Sequence, residues 1–166
     1  MRLAVTDANI FIDLIKLDLM AHLFSIELEV ITTAEVLEEL NDHQAEVLNG
    51  FHRDGLLFTH ILTDDQHKAV EALKIHSALS YTDRTVIVLS ELLDAIVITG
   101  DGAMRKFCIA RKLEVRGILW VFDCFLQFQC ISHAVAAEKM EGLMRINNRL
   151  PVAECLERLG RWRKMI

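Results

Sequence analysis

The chain has a single proline and seven glycines in 166 residues, and 52% of it is apolar. Those scarcities exclude a disordered or fibrous chain and leave a compact globule. No apolar run approaches the roughly 20 residues that span a bilayer. "MRLAVTDANIF" also reaches an aspartate too soon to hold a secretory signal core. The expectation is a soluble, cytoplasmic protein with no membrane partner. Paired metal spacings are missing too. Cys108, Cys124, Cys130 and Cys155 form no CxxC, and the histidines at 22, 43, 52, 60, 67, 76 and 133 form no HxH or HExxH. The thiols therefore read as small buried hydrophobes, and the histidines as surface or satisfied core residues.

Basic residues are scarce in the first part of the chain and acids in the last. Residues 1–102 hold 18 acids and 6 bases, net −12, whereas residues 103–166 hold 6 acids and 12 bases, net +6. The asymmetry points to an anionic partner for the C-terminal part, with solvated helix faces as the plain alternative.

What is present is alternation of strands and helices. "RLAV" reads as a strand, then "ANIFIDLIKLDLMAHLF" carries apolar residues at helical spacing. "LEVIT" is a second strand. "TTAEVLEELNDHQAEVLNGF" follows as one helix, opened by Thr32 as cap with Glu35 reaching back. "DGLLFTHIL" is a third strand, and "TDDQHKAVEALKIHSALS" an amphipathic helix. "SYTDRTVIVLSELLD" is a helix capped by Ser80 or Thr82, and "AIVIT" a strand buried on both faces. "GDGAMRKFCIARKL" turns into a basic helix, and "GILWVF" reads as a last strand. The remaining tail reads as three short helices, with Pro151 at the first turn of the last. The whole predicts one α/β domain over 1–166, with a parallel sheet between helices, a core to about residue 122 and a helical segment from about 123.

In a parallel sheet the strand C-termini share one edge, where open α/β sheets bind ligands. Asp7 ends the first strand and Asp101 follows "AIVIT", so both stand there. Asp83 opens a helix near the same edge, either as a capping acid or as a site acid. Of the three acids in "AEVLEEL", Glu35 belongs to the cap and Glu38 points to solvent. Glu39 flanks the apolar stripe, where a side chain can be held partly buried. Converging carboxylates repel unless a cation sits among them. An all-oxygen donor set suits Mg²⁺ or Mn²⁺, and the matching chemistry is metal-assisted phosphodiester hydrolysis.

Four stretches in order resemble the PIN-domain ribonucleases, of the single-domain prokaryotic kind that includes VapC-type toxins. They are "VTDANIFIDL", "TTAEVLEEL", "LSYTDRTVIVLS" and "IVITGDGAMRK", carrying Asp7, Glu39, Asp83 and Asp101. The resemblance covers residues 3 to about 122. It implies a three-layer α/β/α fold with about four or five parallel strands and extra C-terminal helices. It also implies divalent-metal-dependent endoribonuclease activity with those four acids as catalytic metal ligands, a homodimer, and an antitoxin partner if the chain is a toxin. Thr6, Asn9 and Thr99 would then orient carboxylates or waters, and Arg105, Lys106 and Arg84 would receive RNA. Ala103 stands where many relatives have a further acid, so one ion is expected and a second left open. The alternative is a weak or inactive PIN-fold scaffold. A haloacid-dehalogenase-like phosphatase would need an aspartate where Asn9 stands.

Overall fold

The computed structural model describes residues 1–75 and 78–166. Its five strands are β1 (Arg2–Thr6), β2 (Leu28–Thr33), β3 (Leu57–His60), β4 (Ile96–Ile98) and β5 (Val115–Arg116). They pair in the order β3-β2-β1-β4-β5, every pair parallel. Helices α1 (Ala8–Lys16) and α2 (Met20–Leu23) join β1 to β2, and α3 (Ala34–Glu38) and α4 (Asp42–Arg53) join β2 to β3. The crossover to β4 holds α5 (Asp64–Ala72), a 3₁₀ turn and α6 (Tyr81–Leu93), and α7 (Gly102–Ala110) leads to β5. The chain ends in α8 (Ile118–Gln127), α9 (His133–Ile146) and α10 (Val152–Arg163). Consecutive residues Ala4, Val5 and Thr6 are all fully buried, as are neighbours along β4. A strand buried on both faces needs a helical layer on each side, which gives the three-layer α/β/α architecture.

Several local expectations are corrected. The first helix breaks after Lys16, where Asp18 takes a left-handed φ of 58° that few residues other than glycine adopt readily. The second opens one residue late. Thr32 still belongs to β2 and donates its hydroxyl to the Thr6 carbonyl (2.9 Å), so Thr33 caps the Val36 amide instead (3.3 Å). Glu35 makes no return bond. That helix also breaks at Glu39, because Asn41 starts α4 with its own capping box to Gln44.

"GILWVF" is not a strand. Apolar Ile118, Leu119, Val121, Phe122, Cys124 and Phe125 are buried at helical spacing in α8, and the last strand shrinks to Val115–Arg116. Ser80, not Thr82, caps α6. Pro151 is the N-cap of α10, just before its first turn. The expected helix through residues 76–77, with His76, lies outside the described residues.

The C-terminal helices share the main core. Phe122 of α8 stacks on Trp162 of α10, and Arg158 of α10 grips Asp123 of α8 bidentately at 2.7–3.2 Å. Asn147, just past α9, donates to Asp13 of α1 at 2.7 Å. The four cysteines are free; burial pushes Cys108 and Cys124 up to about 11, so both stay thiols.

Candidate active site

The chain runs outward from β1 through β2 to β3, then returns to lay β4 on the other side of β1. The connections leaving β1 and β4 therefore diverge, and a crevice opens outside their C-terminal ends. Asp7 leaves β1 at this point. As N-cap of α1 it accepts from the Ala8 amide (2.7 Å) through Oδ1. Its Oδ2 accepts from Asn9 Nδ2 (2.6 Å) and Thr99 Oγ1 (2.9 Å). Only 3% of Asp7 is exposed. Burial raises its pKa to about 6; the bonds from Thr99 and Ala8 oppose that rise, and the negative charges of Asp83 and Glu39 add to it.

Thr99 ties the two strand ends together, since its Oγ1 also accepts from the Asp101 amide (3.0 Å). Asn9 does the same from the other side, its Oδ1 accepting from the Gly100 amide (2.9 Å). A Cβ at Gly100 would stand 3.2 Å from that Oδ1, so glycine keeps the approach close. Asp101 caps α7 by accepting from the Met104 amide (2.8 Å). Asn9 and Thr99 thus orient Asp7 as a pair. Thr6 does not: its hydroxyl is buried and, among the described residues, has no partner.

Asp83 has both roles open to it in the sequence. Its Oδ2 accepts from the Ser80 amide (2.7 Å) in a reciprocal capping box, yet its charge also reaches Asp7. Glu39 reaches Asp7 electrostatically too, but it ends α3 exposed, which corrects the expectation of a partly buried side chain. Glu35 does not serve the cap: its Oε2 is buried beside Tyr81 with no hydrogen-bond partner among the described residues, and after burial itself its charge helps keep the Tyr81 hydroxyl protonated. No local pattern distinguishes Glu35 from its neighbours, because its burial depends on α3 meeting α6. Among the described residues no three His, Cys, Asp or Glu stand where they could hold a metal ion.

Of the three basic residues, Arg84 is corrected. It is 7% exposed, donates to the carbonyls of Ser80 (3.2 Å) and Val70 (3.3 Å), and lies over the Tyr81 ring. It faces the protein and is not presented to a nucleic acid. Lys106 is exposed on α7. Arg105 borders a cleft of about 460 Å³ that begins at Asn9, Thr99 and Gly100 and runs toward α10. Arg116, Arg149, Arg158 and Trp120 also line it. Sequence reading missed those four, although the positive charge of the C-terminal part was its signal.

A parallel α/β/α sandwich with aspartates on two adjacent strand ends at the switch point defines a class of α/β domain whose ligands sit at that edge. The family model DUF3368, described as a PIN domain, matches residues 3–164. The chain belongs to the PIN-domain family, whose members are generally nucleases and typically bind divalent metal ions. Among curated proteins no significant match is found. Among the described residues no helix is long and apolar enough to cross a membrane.

Proposed function

We propose that this protein is an endoribonuclease that depends on Mg²⁺ or Mn²⁺ and hydrolyses phosphodiester bonds. The observation that supports it most is Asp7, buried at the β1–β4 crevice with the charges of Asp83 and Glu39 in reach and Asp101 linked to it through Thr99. The donors fit a hard divalent cation in kind, since all are oxygens, and the negative charges of Asp83 and Glu39 near Asp7 are ones a cation would offset. Asp7, Glu39, Asp83 and Asp101 would hold the ion. When bound, such an ion supplies Lewis-acid polarisation of the scissile phosphate and eases attack by water.

The protein's own groups do the positioning. Asn9 and Thr99 fix the Asp7 carboxylate by donating to one of its oxygens, which leaves its orientation preorganised. Arg105 and Lys106 follow Asp101 on α7 and receive the RNA backbone. Homodimerisation, and a role as the toxin of a toxin–antitoxin pair, belong to the same reading and rest on the resemblance alone. Ala103, together with the lack of a closed three-acid group among the described residues, favours the second reading, a PIN-fold scaffold without catalysis.

The test is cleavage of a mixed-sequence single-stranded RNA with Mn²⁺. Cutting by the wild type that EDTA stops and Asp7→Asn abolishes is the expected result. Equal cutting by both proteins sinks the site assignment. No cutting, with no rise in melting temperature on adding Mn²⁺, leaves the scaffold.

A further inference from the structure

The cleft beside the acids has a charge pattern of its own. Of its four arginines, Arg116 pairs with Glu114 (3.0 Å) and Arg158 with Asp123 (2.7 Å). Arg105 and Arg149 have no ion-pair partner among the described residues. The two acids in the lining are already engaged, Asp13 by Asn147 (2.7 Å) and Glu154 by Arg158 (3.8 Å). Arg105 lies against Gly117, where a Cβ would come within 2.8 Å of its Nη2, so the glycine leaves room for the guanidinium.

Beside its charged residues and the polar Asn9, Thr99 and Asn147, the cleft has an apolar and aromatic side. Ile10, Ile118 and Leu150 line it with Trp120, and the Arg116 guanidinium sits 5.8 Å from the Trp120 ring centroid. Aromatic rings and arginine planes of this kind are the surfaces on which unpaired bases stack. The volume of about 460 Å³ falls in the class of small-molecule sites. The cleft is also continuous with the acid edge, since Asn9 and Thr99 line it and both donate to Asp7.

We infer that this cleft holds one nucleotide of a single RNA strand next to the cleaved phosphate, its base against Trp120 and its phosphate on Arg105 and Arg149. The inference rests on the acid edge being the RNA-cutting site, and it requires the nucleotide held in the cleft to be unpaired. A duplex turns its bases inward and offers Trp120 no free face.

Tryptophan fluorescence reads this site directly. Trp162, the other indole, is buried against Phe122 and supplies a constant background. With EDTA present, so that no cutting occurs, a nucleoside 5′-monophosphate should quench Trp120 saturably, and a short single-stranded RNA should do so at lower concentration. Arg105→Gln and Arg149→Gln should each weaken binding about tenfold, the loss of one charge-assisted contact. Trp120→Phe should remove the signal while leaving the melting temperature in place.

Four results would overturn the inference: inorganic phosphate binding as well as the nucleotide; a free nucleoside binding as well; a hairpin duplex or the free nucleotide outcompeting the single strand; or unchanged affinity in both arginine variants. Because cutting plays no part here, binding without nuclease activity would sink only the nuclease reading. Nuclease activity without binding would sink only the cleft.

Discussion

Replacing Asp7 by asparagine should stabilise the metal-free protein, and the gain should depend on pH in a defined direction. The Asp7 pKa is about 6 in the folded state against an ordinary 3.8. A carboxyl whose folded pKa is raised contributes stability that is complete below its unfolded pKa and is lost as pH climbs through the folded one. By linkage the loss reaches about 3 kcal/mol well above pH 6, and roughly half of it is recovered at pH 5. Asparagine keeps an acceptor for the Ala8 amide but sets a donor against the Asn9 Nδ2 donor and turns the Thr99 hydroxyl from donor to acceptor, which costs about 1 kcal/mol. The expected net gain at pH 8 is therefore about 2 kcal/mol, shrinking to less than about 1 kcal/mol at pH 5. In a chain of this size each kcal/mol moves the melting temperature by about 2–4 °C. Melting curves of both proteins in EDTA from pH 5 to 8 measure it. If the two curves keep a constant separation across that range, or the variant is the less stable at pH 8, the buried-carboxylate argument is wrong.

Ser80→Ala removes the hydroxyl that accepts from the Asp83 amide and caps α6, but keeps the backbone amide that donates to the Asp83 carboxylate, and should cost about 1 kcal/mol by urea unfolding. Asn147→Ala strips Asp13 Oδ2 of its donor and loosens α9 from α1; about 1–3 kcal/mol is expected in the same assay. Gly117→Ala should leave the melting temperature nearly unchanged, because its Cβ would clash with the flexible tip of Arg105 (2.8 Å) and make only an ordinary contact with the Thr99 carbonyl oxygen (3.5 Å), while RNA binding weakens. A large loss of stability in that variant would mean the backbone at Gly117, not Arg105, sets the spacing.

The acids at the strand ends were legible because the signal is local. An apolar run that stops at a polar residue marks a strand C-terminus, and parallel topology then puts Asp7 and Asp101 together without further information. Asp83 shows the limit of that method: capping box and proximity to Asp7 are both present, and only the tertiary structure reveals the second. Glu39 and Glu35 exchanged burial because the helical wheel assumed one continuous helix, whereas Asn41 restarts the chain in α4. "GILWVF" is apolar enough for a strand or a buried helix, and periodicity over six residues does not separate the two. The cleft was illegible for a different reason. Arg105 and Arg149 are brought together by α9 and α10 folding back, a contact fixed by Asn147 on Asp13 and Arg158 on Asp123.

The strand order also explains why the charge divides along the chain. Asp7, Glu39 and Asp83 come from segments before β4, and the lining arginines Arg105, Arg116, Arg149 and Arg158 all come after it. Because β4 pairs with β1, the return of the chain lays the basic C-terminal part directly against the acidic edge. Thr99, last before that crossover, bonds to Asp7 and lines the cleft as well. On the proposed function, a phosphodiester strand would meet both surroundings within one nucleotide of each other: carboxylates for a cation at the reacting phosphate, and arginines for the phosphate beside it. A net charge of −6 hides this arrangement, which depends on two regions of opposite sign meeting at one sheet edge. Thr99→Val would test that junction, since it removes the hydroxyl that both orients Asp7 and carries the link to Asp101. Cleavage should fall in that variant while nucleotide binding at Arg105 and Arg149 persists; loss of both together would mean that the acids and the cleft act as one inseparable site.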